Sequence, residues 1–131
     1  MIAFDYGATL RTSDGSPALR ELVKRFNELR VPVCVVSAIC EPAGGHWERT
    51  ISDEIRQLTS ADGTPLRFEA VRFVYYPDHP TAADMVQAGR DKAKQMEQLG
   101  ATLIFDDSRD VCLGVRLEGR LAVQHVPEGM R

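Results

Sequence analysis

The residues best suited to chemistry in this 131-residue chain are Asp5, Ser37, Lys92, Asp106 and Asp107. Asp5 follows the apolar run Met1-Ile2-Ala3-Phe4, and Asp106-Asp107 follows Leu103-Ile104-Phe105. Ionised carboxylates avoid burial unless they are paired or bound to a metal, so acids closing two buried strands point to a shared site. Taken singly, Asp5 capping a turn and Asp106 capping a helix would be ordinary roles. Three neighbouring carboxylates repel one another, and a hard divalent cation relieves that repulsion. One or two carboxylates with a backbone carbonyl and waters suit magnesium. His46, His79 and His125 are scattered, with no zinc-like spacing.

These residues need a scaffold, and the chain alternates strand-length apolar runs with helix-period stretches. Residues 1–4 read as a first strand. Ser16-Pro17 then reads as an N-cap with proline at the first helical position, and Leu19, Leu22, Val23, Phe26 and Leu29 form one buried stripe. Residues 31–36 are uncharged and largely β-branched, as a strand covered on both faces should be. After a polar segment with Gly44-Gly45, residues 47–58 predict a helix, 61–65 a turn and 71–76 a third strand. Thr81 caps a helix to Leu99, with Gly100 as its stop and Gly89 as a weak point. A strand over 101–105, a helix over 109–117 and a strand over 121–126 complete the pattern.

The order β-α-β-α-β-α-β-α-β specifies an α/β fold, a three-layer Rossmann-like parallel sheet of about five strands. Helices cover both faces, and residues 1–131 make a single domain without a cap. Ligands of such sheets bind beyond the carboxyl ends of the strands, where strand order reverses. Asp5, Ser37, Asp106 and Asp107 are expected there.

Composition sets the outer bounds. A hydrophobic fraction of 44%, a charged fraction of 27% and a formal charge of −3 describe a globular protein without a general nucleic-acid-binding surface. Handling of a nucleic-acid end stays open. Cys34, Cys40 and Cys112 read as reduced thiols, with Cys34 in the core, and neither an export signal nor a spanning segment is expected. A cytoplasmic location is the expectation.

The same residues resemble the haloacid dehalogenase superfamily. Phe4-Asp5-Tyr6-Gly7-Ala8-Thr9-Leu10 stands in the place of its strand followed by Asp-x-Asp-x-Thr, and Val35-Val36-Ser37 in that of its strand ending in Ser or Thr. Lys92, with Lys94 as its rival, matches the lone lysine, and Phe105-Asp106-Asp107 the closing acid pair. Residues 103–126 also resemble the end of the phosphatase domain of polynucleotide kinases. The resemblance implies a magnesium-dependent phosphohydrolase or phosphotransferase working through an aspartyl-phosphate at Asp5. Asp5, the Gly7 carbonyl, Asp106 and Asp107 would hold Mg2+, with Asp106 and Asp107 alternatives for the closer ligand. Thr9, Ser37 and Lys92 would bind phosphate, Lys92 with a catalytic role.

Gly7 departs from the pattern, because it replaces the second aspartate that serves as general acid and base. Such help is worth about 10² to 10⁴ in rate, so turnover should be slow. A non-catalytic relative that binds a phosphorylated ligand or protein partner is the main alternative. A receiver domain fits less well, since its acid pair follows the first strand. An open site suits a large phosphorylated partner such as a nucleic-acid end, with Arg109, Arg116 and Arg120 as possible phosphate contacts. Tyr6 could stack on a substrate or pack against the neighbouring loop, while Tyr75 and Tyr76 read as strand packing.

Overall fold

The computed structural model describes residues 1–41 and 45–126. Five parallel strands, β1 (Ile2–Phe4), β2 (Val33–Cys40), β3 (Ala70–Tyr76), β4 (Leu103–Asp106) and β5 (Leu121–Gln124), form one sheet in the order β3-β2-β1-β4-β5. Four helices connect them: α1 (Pro17–Glu28), α2 (His46–Arg56), α3 (Ala82–Leu99) and α4 (Arg109–Leu117). No cap is inserted among the described residues.

Side-chain alternation along the strands sorts the core into two layers. Phe4, Val33 and Val35 pack with Val23 of α1 and Ile55 of α2. Ala3, Cys34, Val36 and Ile104 pack on the other face with Met96 of α3 and Val115 of α4. The fold is therefore the expected three-layer, Rossmann-like α/β sheet. Strand order reverses between β1 and β4, so the reversal point lies between the strands that deliver Asp5 and Asp106.

The expected helix signals act where the sequence puts them. Ser16 accepts a hydrogen bond from the Leu19 N–H at 3.2 Å with Pro17 at the first helical position, and Thr81 forms a reciprocal capping box with Asp84. Ser108, not Asp106, caps α4 through the Val111 N–H. Leu29 leaves the expected stripe: it is the C-cap of α1 and 57% exposed. The expected break at Gly44-Gly45 falls partly outside the described residues, and Gly45 caps α2 in the left-handed region at φ 81°.

Two further expectations are corrected. β2 does not stop near Ser37 but runs on through Ala38, Ile39 and Cys40, because β3 pairs with it residue by residue up to Tyr76. Gly89 is not merely a weak point of α3. A Cβ there would stand 2.1 Å from the Val111 carbonyl oxygen, and one at Gly114 2.0 Å from the Val86 carbonyl oxygen. The two glycines let α3 and α4 cross almost backbone to backbone, which outweighs the helix propensity lost at Gly89.

Candidate functional site: a lysine-bridged carboxylate cluster

Asp5 follows β1 and Asp106 closes β4, and the two strands are hydrogen-bonded neighbours. Register pairs Phe4 with Phe105, so the next residue of each strand brings a carboxylate to the same level. Lys92 approaches from α3, where Ala88, Gly89, Lys92, Ala93 and Met96 form the inward stripe. Its Nζ donates to Asp5 Oδ1 at 2.8 Å and to Asp106 Oδ2 at 2.7 Å. Lys92 and Asp106 are each 1% exposed, and Asp5 is 7% exposed. Lys94, on the open face of α3, is instead 3.9 Å from Asp91. Of the two lysines, Lys92 is therefore the one in contact with the carboxylates.

Asp107 completes the group, since Asp5, Asp106 and Asp107 each offer an oxygen within 4.8 Å of the others. Both oxygens of Asp106 are engaged, Oδ2 by Lys92 and Oδ1 by the Ser108 N–H at 2.9 Å. Asp107 is only half-buried and offers the more accessible carboxylate. Thr9 is fully buried, and its Oγ1 lies 3.4 Å from both Asp5 Oδ2 and Asp107 Oδ1. Its hydroxyl is therefore directed to the carboxylates.

Electrostatics follow from this burial. Desolvation pushes Asp5 up to about 6 against the pull of Lys92, and pushes Asp106 up to about 6 with the Asp5 charge adding to the rise. Burial also raises Asp107. For Lys92, burial alone would lower the pKa, but Asp106 and Asp5 together outweigh it and hold the ammonium charged. With all groups ionised, three carboxylates face one ammonium, an excess of two negative charges. A hard divalent cation with oxygen ligands fits that donor set and that charge.

The turn after β1 is tightly wound. The Tyr6 carbonyl accepts from the N–H groups of Thr9, Leu10 and Arg11 at 3.1, 2.9 and 3.0 Å. Ala8 sits at φ 55°, in a region costly for a residue with a Cβ, and its N–H donates to Asp14 Oδ1 at 3.1 Å. Asp14 also pairs with Arg11. Tyr6 is buried, and its hydroxyl donates to Glu54 of α2 at 2.8 Å, so it packs the loop and is not presented for stacking.

Other expected residues stand outside the hydrogen-bonded cluster among the described residues. Ser37 is 3% exposed within β2 and makes no hydrogen bond to the carboxylates among the described residues; alternation turns it toward α2. There it lines a cleft of about 330 Å³ together with Tyr6, Gly7, Arg11, Trp47 and Tyr76. Arg116 and Arg120 donate to the Ala122 and Ala101 carbonyls of their own chain, and Ala101 precedes β4, at the end of the sheet away from Asp106. Arg109, exposed at the start of α4, remains on the site's side. A larger groove of about 670 Å³, near Asn27, Arg30 and Arg67, lies at the amino ends of β2 and β3 and holds none of the site residues.

Arg11, Trp47 and Tyr76 were not singled out from sequence as cleft residues. Arg11 carries a weak signal, an arginine three residues before Asp14, and Trp47 is the chain's single tryptophan, on the first turn of a helix.

No family model and no curated protein matches the chain. Among solved structures it is similar to an uncharacterized protein from Corynebacterium glutamicum ATCC 13032 Kitasato, known from a crystal structure at 1.44 Å resolution. The two are 17% identical, with a TM-score of 0.50, and the match covers 95% of this chain and 82% of the other. The likeness shows the fold, a parallel α/β sheet. Among the described residues no helix is long and apolar enough to cross a membrane.

Proposed function

We propose that the chain is a magnesium-dependent phosphohydrolase or phosphotransferase of the haloacid dehalogenase type, with Asp5 as the nucleophile. The observation that carries this reading is the buried Asp5–Lys92–Asp106 bridge with Asp107 beside it. A purely structural ion pair needs one acid for one lysine. Here acids are in excess at the reversal point of a parallel sheet, where ligands bind.

With a pKa of about 6, Asp5 is mostly ionised at neutral pH and able to attack phosphorus. A bond forms between an Asp5 oxygen and phosphorus as the ester P–O bond breaks. The leaving oxygen takes its proton from solvent, because Gly7 offers none. Water then attacks phosphorus, releasing inorganic phosphate and restoring the carboxylate. Lys92 holds Asp5 in place and supplies positive charge beside the phosphoryl group. Magnesium held by oxygens of Asp5, Asp106 and Asp107 and by the Gly7 carbonyl would supply neutralisation of phosphoryl charge.

A second reading, a non-catalytic phosphate-binding relative, is favoured by Gly7 alone. Hydrolysis of a generic aryl phosphate by the wild type and Asp5→Asn separates the two. Activity that requires Mg2+ and disappears in Asp5→Asn is the expected result. Activity surviving in Asp5→Asn would remove Asp5 from the role of nucleophile. Magnesium binding without turnover would establish the second reading.

A further inference from the structure

We propose that the cleft beside Gly7 is a subsite for a planar aromatic ring carried by the phosphorylated ligand, with Trp47 as its stacking wall. The inference rests on the phosphate-site reading above and adds the chemical class of the group attached to the phosphate.

Four observations support it. Trp47 is 47% exposed and lines the cleft, whereas Ile55, further along the same helix, is buried in the core. A large exposed aromatic residue at a cleft is a recurrent mark of ligand or partner contact. Tyr76, at the end of β3, also lines the cleft, so two aromatic side chains from different elements border one space. The cleft adjoins the phosphate site through Gly7, two residues past Asp5, and Arg11, paired with Asp14, also lines it. Finally, its volume of about 330 Å³ is at the small end of ligand pockets, suiting one ring system.

The helix that carries Trp47 is joined to its neighbours: Tyr6 of the Asp5 turn donates to Glu54, and Tyr75 of β3 donates to Glu48.

The single tryptophan makes the test direct. Binding of a 5′-nucleoside monophosphate, phenyl phosphate, glycerol phosphate and inorganic phosphate is measured with Mg2+ by calorimetry and by tryptophan fluorescence. A ring stacked on Trp47 should quench its emission and bind about tenfold tighter than glycerol phosphate, the scale of a single base–aromatic stack. Trp47→Ala should equalise the monoesters while inorganic phosphate binds as before, and Trp47→Phe should restore most of the preference. Preference for the nucleotide alone identifies a nucleobase, and preference shared by phenyl phosphate a simple aryl group. If inorganic phosphate binds but the monoesters bind alike without quenching, or if the preference survives Trp47→Ala, the subsite is overturned and the phosphate site stands. If inorganic phosphate does not bind, the phosphate-site reading fails and the subsite with it.

Discussion

At the residue scale, Lys92 decides whether the site can exist. Its ammonium is the only cation in hydrogen-bond contact with Asp5 and Asp106 among the described residues. Lys92→Met should destabilise the fold by about 3–5 kcal/mol in urea denaturation, because it leaves two buried carboxylates uncompensated. Adding Asp106→Asn should recover part of that loss. The same network sets a pH dependence. Asp5 and Asp106 stand at about 6, above their ordinary 3.8. An acid raised on folding binds protons more tightly in the folded state, so its contribution is present at low pH and lost as pH rises through about 6. Asp14 and Glu118, held low chiefly by Arg11 and Arg90, act in the opposite sense below that window. Metal-free protein should therefore melt higher near about pH 5.5 than near about pH 7.5, and the difference should shrink in Asp106→Asn. Gly7 invites a gain of function. A Cβ there would meet only the Arg11 guanidinium, at 3.7 Å or more, so Gly7→Asp should fold normally. It should also raise phosphate-ester hydrolysis toward the about 10² to 10⁴ that general acid–base help supplies. Unchanged hydrolysis with intact Mg2+ binding would show that the missing proton shuttle is not what limits turnover.

At the element scale, the α3–α4 crossing positions Lys92. Gly89 lies one turn before Lys92, and its α-carbon faces Gly114 across the interface. Gly89→Ala should push the helices apart and cost about 1–3 kcal/mol, the usual penalty for overpacking a tight contact. Because α3 carries Lys92, the variant should also bind Mg2+ more weakly than its stability loss alone explains, read by calorimetry at a temperature where it remains folded. The long β2 matters in a different way. Its extension through Cys40 supplies Ser37, Ala38, Ile39 and Cys40 to one side of the cleft. A shorter strand would have left Ser37 at the rim, as the sequence suggested.

At the scale of the whole molecule, the carboxyl ends of β1 and β4, inside the sheet, gather charge that the fold leaves only partly neutralised. Magnesium at about 100 times its dissociation constant should stabilise the folded state by about 2.7 kcal/mol, measured as a rise in melting temperature. The rise should be smaller near about pH 5, where protons compete for Asp5 and Asp106, and smaller again in Asp107→Asn. A rise equal at both pH values would place the cation elsewhere. Gly15 closes the turn after Asp5 so tightly that a Cβ would stand 2.5 Å from the Arg11 carbonyl oxygen, so a side chain at that position would force the turn open.

The alternation of apolar runs and amphipathic stretches determined the parallel sheet by itself, because strand and helix periods are local properties and parallel strands require helical crossovers. Asp5, Asp106 and Asp107 were legible for the same reason: an acid closing a buried run has no local packing explanation. The choice of Lys92 over Lys94 was not, since both lie on one helix and only the orientation of α3 decides which ammonium faces the carboxylates. Nor could sequence reveal that Thr9 turns inward, that Asp106 has both oxygens engaged, or that Trp47 and Tyr76 border one cleft. Those facts depend on how far β2 pairs with β3 and how closely α3 crosses α4. Strand register and helix crossing bring together residues dozens of positions apart, and no local pattern encodes that distance.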